Sequence, residues 1–349
     1  MERRYWHRCI KTKQVQNAAR QRNPGVSAIL GGSINTGDLM QNTIKIIIGE
    51  LQKAVIGKQS VLEKLLTAVL AGGHVLLDDV PGVGKTTMAI AVSKTLGLKY
   101  RRIQFTPDVL PSDITGFSIY TKESGNLSFV PGAAIDTNIL LGDEINRTSS
   151  KTQSALLEAM EEGQVTVDGV TYPLLNPFIV IATQNNVGTA GTQLLPFAQL
   201  DRFLMRLSIG YPDFDSQMAI IRDRQQSNPI DELSQIVSLD DILSMQRETR
   251  SVTVKDSVIA YITRLVMASR EADGVELGIS PRGALFISRA AKARAYIQGR
   301  DYTVPEDVRE VFTDVCAHRI LLKQHDRVKI TADSVLADII KTVKCPDGL

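Results

Sequence analysis

The chain has 349 residues, 43% hydrophobic and 22% charged, which is enough to bury a sizeable core in two domains and excludes collagen-like, fibrous and disordered classes. Formal net charge is +2, but residues 1–37 hold Arg3, Arg4, Arg8, Lys11, Lys13, Arg20 and Arg22 against Glu2 alone, which leaves −4 on residues 38–349. A mildly acidic body lacks the basic face of a nucleic-acid-binding domain, and no apolar run reaches the roughly 18 residues a membrane span needs. Cys9, Cys316 and Cys345 are far apart, and His7, His74, His318 and His325 show no metal-ligand spacing. Isolated core or surface roles are expected for all of these, in a soluble, cytoplasmic protein without disulfides.

Residues 1–37 read as a basic leader, expected to be disordered in the compositional sense that it offers few residues to a core. Its lack of acids after Glu2 is shared with mitochondrial transit peptides, and an over-extended start codon is an equal reading. Helical spacing of apolar residues begins at Leu39–Val55 and returns over Val61–Leu70. Val75-Leu76-Leu77 then reads as a buried strand, stopped by Asp78-Asp79 and Pro81-Gly82, with a helix over Met88–Leu96. Further strands are predicted at Ile103–Phe105, Ile139–Leu141 and Phe178–Ile181, each ending in polar residues. Strands alternating with helices predict a mostly parallel sheet covered on both faces.

Two segments break the alternation. Phe117–Val130, turning at Ser124-Gly125-Asn126, and Gln164–Leu174, turning at Asp168-Gly169, read as β-hairpins. From about Asp215 the strand signals vanish, and helices are predicted at Leu239–Arg247, Val254–Ser269, Pro281–Ile297 and Pro305–Val315. Asp240 or Ser238, Thr253, Ser280 and Thr303 are the expected caps. The domains implied are 38–213, α/β, and 214–349, a smaller all-helical unit.

The chemistry concentrates in three places. Pro81-Gly82-Val83-Gly84-Lys85-Thr86 lies between a strand and a helix, where backbone N–H groups and a helix N-terminus can close around phosphate. In such a P-loop Lys85 reaches the β- and γ-phosphates and the Thr86 hydroxyl ligates magnesium. The strict pattern has Gly five residues before Gly84; this chain has Asp79. Second, the apolar run Asn138–Gly142 ends in Asp143-Glu144. Ligands sit beyond the carboxyl ends of strands in open α/β sheets, so Asp143 is placed to hold the metal and Glu144 to polarise water. The third place is Ile181-Ala182-Thr183-Gln184-Asn185, another strand ending in polar side chains.

Together with Ile103–Asp108, Leu110–Asp113, Asp143–Arg147, Gln153–Glu162 and Leu200-Asp201-Arg202-Phe203, these motifs resemble the MoxR family of AAA+ ATPases over about residues 40–320. The resemblance implies a P-loop NTPase fold with hairpin insertions and a helical lid, ATP and Mg2+ as cofactors, and a homo-oligomeric ring, usually a hexamer. It implies that Asn185 orients the lytic water and that Arg202 is an arginine finger for a neighbouring subunit's nucleotide, with Arg206 and Arg147 as rivals. It further implies that Arg282, in Ser280-Pro281-Arg282-Gly283, is a second-sensor phosphate contact, and that Val55-Ile56-Gly57 packs on adenine, with Thr87 beside the loop. The hairpins match insertions that face the pore in related rings. A protein client, often with a von Willebrand factor A domain, is expected, with remodelling or chaperone-like maturation as the output.

Departures from the family pattern are Asn186 and Phe197, where the family usually has Pro and Glu, and an unfamiliar Gly- and Thr-rich run between Asn186 and Pro196. The alternatives are the ATPase subunit of a magnesium chelatase, a DNA helicase motor, which the acidic body disfavours, and an ATP-gated assembly protein. Against the last stands the complete set Asp143, Glu144 and Asn185.

Overall fold

A computed structural model describes residues 36–121, 126–184, 195–223, 228–323 and 331–346. Helices α1 (Thr36–Ala54) and α2 (Gln59–Leu70) lead into β1 (Val75–Asp78), α3 (Lys85–Thr95), β2 (Tyr100–Gln104) and the short α4 (Pro111–Thr115). A hairpin of β3 (Gly116–Thr121) and β4 (Asn126–Pro131) follows, then β5 (Ile139–Asp143) and α5 (Ser150–Glu162). A second hairpin, β6 (Gln164–Val167) and β7 (Val170–Pro173), precedes β8 (Ile179–Gln184), α6 (Phe197–Leu200) and β9 (Met205–Leu207). Strands β2, β5, β8, β1 and β9, in that order, form one parallel sheet.

Alternation along the strands explains why both faces are covered. Val75, Leu77, Ile139, Leu141, Ile179, Ile181, Met205 and Leu207 point into one apolar cluster, shared with α1, α2 and α3. Their neighbours Leu76, Leu140, Val180 and Ala182 point the other way, onto Leu156, Leu157 and Met160 of α5. Strands buried on both sides must be apolar at every position, which is why they read as continuous runs. Ile181, fully buried in the middle of this stack, should cost about 2–5 kcal/mol when cut to Ala. The check is a lower urea midpoint with an unchanged slope.

The second hairpin turns where the sequence predicts, with Asp168 at φ +50 and Gly169 at φ +77. Two positive φ values in succession match the twist that a two-residue hairpin needs. The turn of the first hairpin falls mostly on 122–125, outside the described residues. Phe129 and Tyr172 stack at 3.9 Å between centroids and so join the hairpins.

The C-terminal part contains α7 (Phe214–Asp223), α8 (Leu239–Ser251), α9 (Asp256–Glu271), β10 (Val275–Leu277), α10 (Pro281–Ile297), α11 (Pro305–Cys316), β11 (Leu321–Leu322) and α12 (Ala332–Thr342). It is not all-helical as predicted, because β10 and β11 pair antiparallel; strands of two and three residues leave no periodicity to read. Its apolar residues join the same cluster that covers one sheet face. Ser238 caps α8, accepting from Asp241 N, while Asp241 accepts from Ser238 N at 2.9 Å, a reciprocal cap. Thr253 and Thr303 cap nothing. Thr303 instead donates its N–H to Thr253 O at 2.9 Å, and Asp307 takes the cap's place by accepting from Val304 N at 2.8 Å.

Candidate active site

Gly84 closes the phosphate loop at φ +95 and is the N-cap of α3, with no side chain bonded to the helix start. The first N–H groups of α3 are therefore unclaimed by a cap, and the helix dipole adds positive potential there. Gly82 also has positive φ, and nothing lies within 4 Å of where a Cβ would stand at either glycine. The loop thus encloses open space bordered by backbone. Lys85 donates to Asp79 O at 2.6 Å and reaches Gln184 O at 3.5 Å, which puts its ammonium between the carboxyl ends of β1 and β8. Burial lowers its pKa from the ordinary lysine value, while Asp79, Asp143, Asp78 and Glu144 oppose that.

The second element arrives from β5, one strand beyond β8. Asp143 accepts from Thr183 Oγ1 at 2.6 Å and pairs with Arg102 at 2.6 Å. The Thr183 hydroxyl also accepts from Glu144 N at 2.9 Å, so one side chain of β8 orients both acids. Glu144 has φ +56, a conformation uncommon outside glycine and of a kind that gathers at active sites. Its carboxylate accepts from Gln104 at 3.1 Å and from Arg147 at 2.6 Å. Thr86 lies in the first turn of α3. A hydroxyl and a carboxylate with phosphate oxygens as further ligands fit magnesium, which binds through few protein groups and keeps its waters. Among the described residues no cluster of three His, Cys, Asp or Glu could hold a metal without a nucleotide. Asn185 lies outside the described residues.

Beside the loop is a cavity of about 260 Å³ lined by Ile56, Pro81, Gly82, Val83, Gly84 and Thr87, with Val55, Lys58, Tyr211, Pro212 and Gln217. Its apolar wall from Val55-Ile56 opposite a phosphate loop suits a base. Gly57 does not line it. At φ +72, a Cβ there would stand 2.1 Å from Ser216 Oγ, so this glycine lets α7 approach.

Arg202 and Arg282 stand elsewhere. Both line a cavity of about 750 Å³ with Gly72, Gly73 and His74, residues that precede β1. They therefore sit at the amino ends of the strands, and the four residues of β1, about 13 Å, separate them from their own phosphate loop. Arg282 pairs with Glu161 at 2.7 Å. Of the rivals, Arg147 pairs with Glu144, and Arg206 lies 3.7 Å from Asp78 and 3.9 Å from Asp333. His74 is structural: half-buried, with its pKa pushed down to about 4 chiefly by desolvation, it accepts from Val180 N at 2.9 Å and faces Met160 O at 3.1 Å.

Residues 74–205 match the profile of the ATPase family associated with various cellular activities (AAA), and residues 267–339 match an AAA lid domain. Chaperone MoxR1 of Mycobacterium tuberculosis is 37% identical over 316 residues, covering 87% of this chain and 83% of its own. The chain belongs to the MoxR family of AAA ATPases. Another relative, the uncharacterized protein YeaC of Bacillus subtilis, is 45% identical over 300 residues, 86% of this chain and 93% of that one. A crystal structure of a candidate ATPase from Cytophaga hutchinsonii superposes with a TM-score of 0.82 at 39% identity, covering 89% of this chain and 97% of that one. Magnesium-chelatase subunit ChlI-1 of Arabidopsis thaliana matches over less, 30% identical across 56% of this chain and 46% of its own.

Membership in the MoxR family makes this an ATP-binding and ATP-hydrolysing enzyme. Several groups at its site had no role assigned from the sequence. Thr183 and Gln104 fall inside motifs that carry the family resemblance but were given no function there, and Arg102 is an exposed position of β2 that looks like an ordinary solvent-facing one. Asp79, the departure from the strict P-loop, accepts from Ser208 Oγ at 3.1 Å, Gly210 N at 2.8 Å and Ile209 N. Its carboxylate ties the phosphate loop to the segment that carries Tyr211 and Pro212 into the cavity beside that loop. Among the described residues no helix is long and apolar enough to cross a membrane.

Proposed function

We propose that this MoxR-family ATPase works as a ring, with each active site built from two subunits, and that hydrolysis remodels or matures a protein client. The reading is carried by one observation: Arg202 and Arg282 share a cavity at the end of the sheet opposite their own phosphate loop. A guanidinium there serves a nucleotide only if that nucleotide belongs to a neighbour. Head-to-tail contacts of this kind close into rings, and six subunits is the number we expect.

Lys85 and the loop amides bind the phosphates, Thr86 and Asp143 hold magnesium, Glu144 polarises the attacking water and Asn185 orients it. Magnesium would neutralise charge on the β- and γ-phosphates. Ile56 supports the base, and Arg202 from the neighbour meets charge that grows on the γ-phosphate. For the client we favour a protein with a von Willebrand factor A domain, in the cytoplasm, and the relative named as a chaperone supports client handling. The chelatase reading has only the shorter match behind it.

The first test is nucleotide affinity. Lys85→Ala removes a charge-assisted contact and should weaken ATP binding by about 10- to 150-fold, measured by titration with a fluorescent ATP analogue. Binding that matches the unmodified protein removes the mechanism.

A further inference from the structure

The two arginines assigned to the neighbour's nucleotide come from different parts of the chain, Arg202 from the turn after α6 and Arg282 from the first turn of α10. Something must hold them in one geometry, and the ion pair of buried Arg319 with partly buried Asp201, the residue before Arg202, is in place to do so. Arg319 is 1% exposed. It donates through Nε to Asp201 Oδ1 at 2.8 Å, through Nη2 to Asp201 O at 3.0 Å and Phe203 O, and through Nη1 to Leu204 O at 3.3 Å and Val315 O. Its guanidinium also lies 4.9 Å from the centre of the Phe286 ring of α10.

The other carboxylate oxygen of Asp201 accepts from Ser280 Oγ at 3.1 Å. Ser280 is the N-cap of α10, accepting from Gly283 N at 3.1 Å, and Arg282 is two residues on. A single carboxylate is therefore adjacent in sequence to Arg202, bonded to the cap of the helix that carries Arg282, and neutralised by Arg319. The glycine of Ser280-Pro281-Arg282-Gly283 belongs to the same arrangement: a Cβ at Gly283 would stand 3.0 Å from Arg319 Cδ and 2.6 Å from Ile279 Cγ2. Asp201 pairs with Arg319 at 2.8 Å and not with Arg202, for which no ion pair is present among the described residues.

We propose that Asp201 and Arg319 are positioning residues that lock Arg202 and Arg282 into one unit, so that turn and lid helix present both guanidiniums together to the neighbouring subunit's triphosphate. The inference rests on the two-subunit reading of the active site. Loss of the Asp201 carboxylate would leave Arg319, 1% exposed, as a buried charge without its partner, and a misplacement of about 1 Å at a transition-state contact costs on the order of 10²-fold in rate.

The experiment uses the full chain and mixed assemblies. Asp201→Asn alone should lower ATP turnover by about 10²-fold while fluorescent-ADP affinity, set by the subunit's own loop, stays where it was. Mixed with Glu144→Gln, it should recover up to about a quarter of the unmodified rate, the share of interfaces made whole by random mixing. Each subunit type then supplies what the other lacks. Ser280→Ala, which removes both the bond to Asp201 and the cap of α10 but leaves no charge unpaired, should lose about two- to tenfold and be recovered in the same way; it decides the matter if Asp201→Asn does not fold. Full activity in both variants overturns the proposal, as does lost activity that mixing does not restore. The parallel mixture of Arg202→Ala with Glu144→Gln separates the two levels: if that pair fails to recover, the two-subunit reading falls, and if it alone recovers, only the role of Asp201 falls.

Discussion

The Glu144→Gln protein is expected to bind ATP as well as the unmodified chain and to hydrolyse it about 10²–10⁴-fold more slowly. The amide keeps the size of the side chain and can still accept from Gln104 and Arg147, so the left-handed backbone at Glu144 and the hydrogen bond from its N–H to Thr183 are undisturbed. What it loses is the negative charge that draws a proton from water. In the proposed site binding rests on other groups, Lys85, the amides at the start of α3 and Asp143, none of which changes. Single-turnover hydrolysis beside an equilibrium titration makes the separation. Turnover within tenfold of the unmodified rate would remove Glu144 from the chemistry. The same protein, held in its ATP-bound form, is the reagent for capturing the client from a lysate and asking whether it contains a von Willebrand factor A domain.

The second large effect is at Arg202. Its replacement by Ala should cost about 10³–10⁵ in turnover, the range for arginine fingers, without weakening nucleotide binding to the same subunit. The size follows from where the charge would act in the proposed two-subunit site, against negative charge that develops on phosphate oxygens in the transition state. The location follows from the fold. Arg202 precedes β9 and lines the cavity around Gly72, Gly73 and His74, while Lys85 follows the carboxyl end of β1. Dilution below the assembly concentration should therefore reduce the unmodified enzyme toward the rate of Arg202→Ala, and light scattering recorded with the rate shows whether the two losses coincide. A rate per subunit that does not change as the ring dissociates would place the catalytic arginine within one chain.

Legibility of these features in the sequence depended on how much chain each one needs. The phosphate loop was legible because its requirements are contiguous: positive φ at Gly82 and Gly84, a lysine on the first turn of a helix, a strand before it. Asp168-Gly169 was legible for the same reason, and so was Ser238 with Asp241 three residues on. The caps at Thr253 and Thr303 were misread because two segments fifty residues apart pair through them, which no local pattern records. Strand β9 was missed since Arg206 interrupts a run of only three residues at the sheet edge, and the packing of Gly57 against Ser216 was not legible because that serine comes from a distant helix.

By itself, then, the sequence determined the alternation of strands and helices, the phosphate loop, the acids that end β5 and the family to which the chain belongs, all of them properties of short stretches whose backbone preferences and side-chain chemistry act locally. Only the tertiary structure decided which groups meet: that Thr183 orients both acids, that Asp79 reaches the segment after β9, that Asp201 pairs with Arg319, and that Arg202 and Arg282 share one cavity at the far end of the sheet. Such meetings depend on strand order and on closing loops of 39 to 131 residues. The free energy of closing a loop varies only slowly with its length, so spacing along the chain carries almost no record of which distant residues become neighbours.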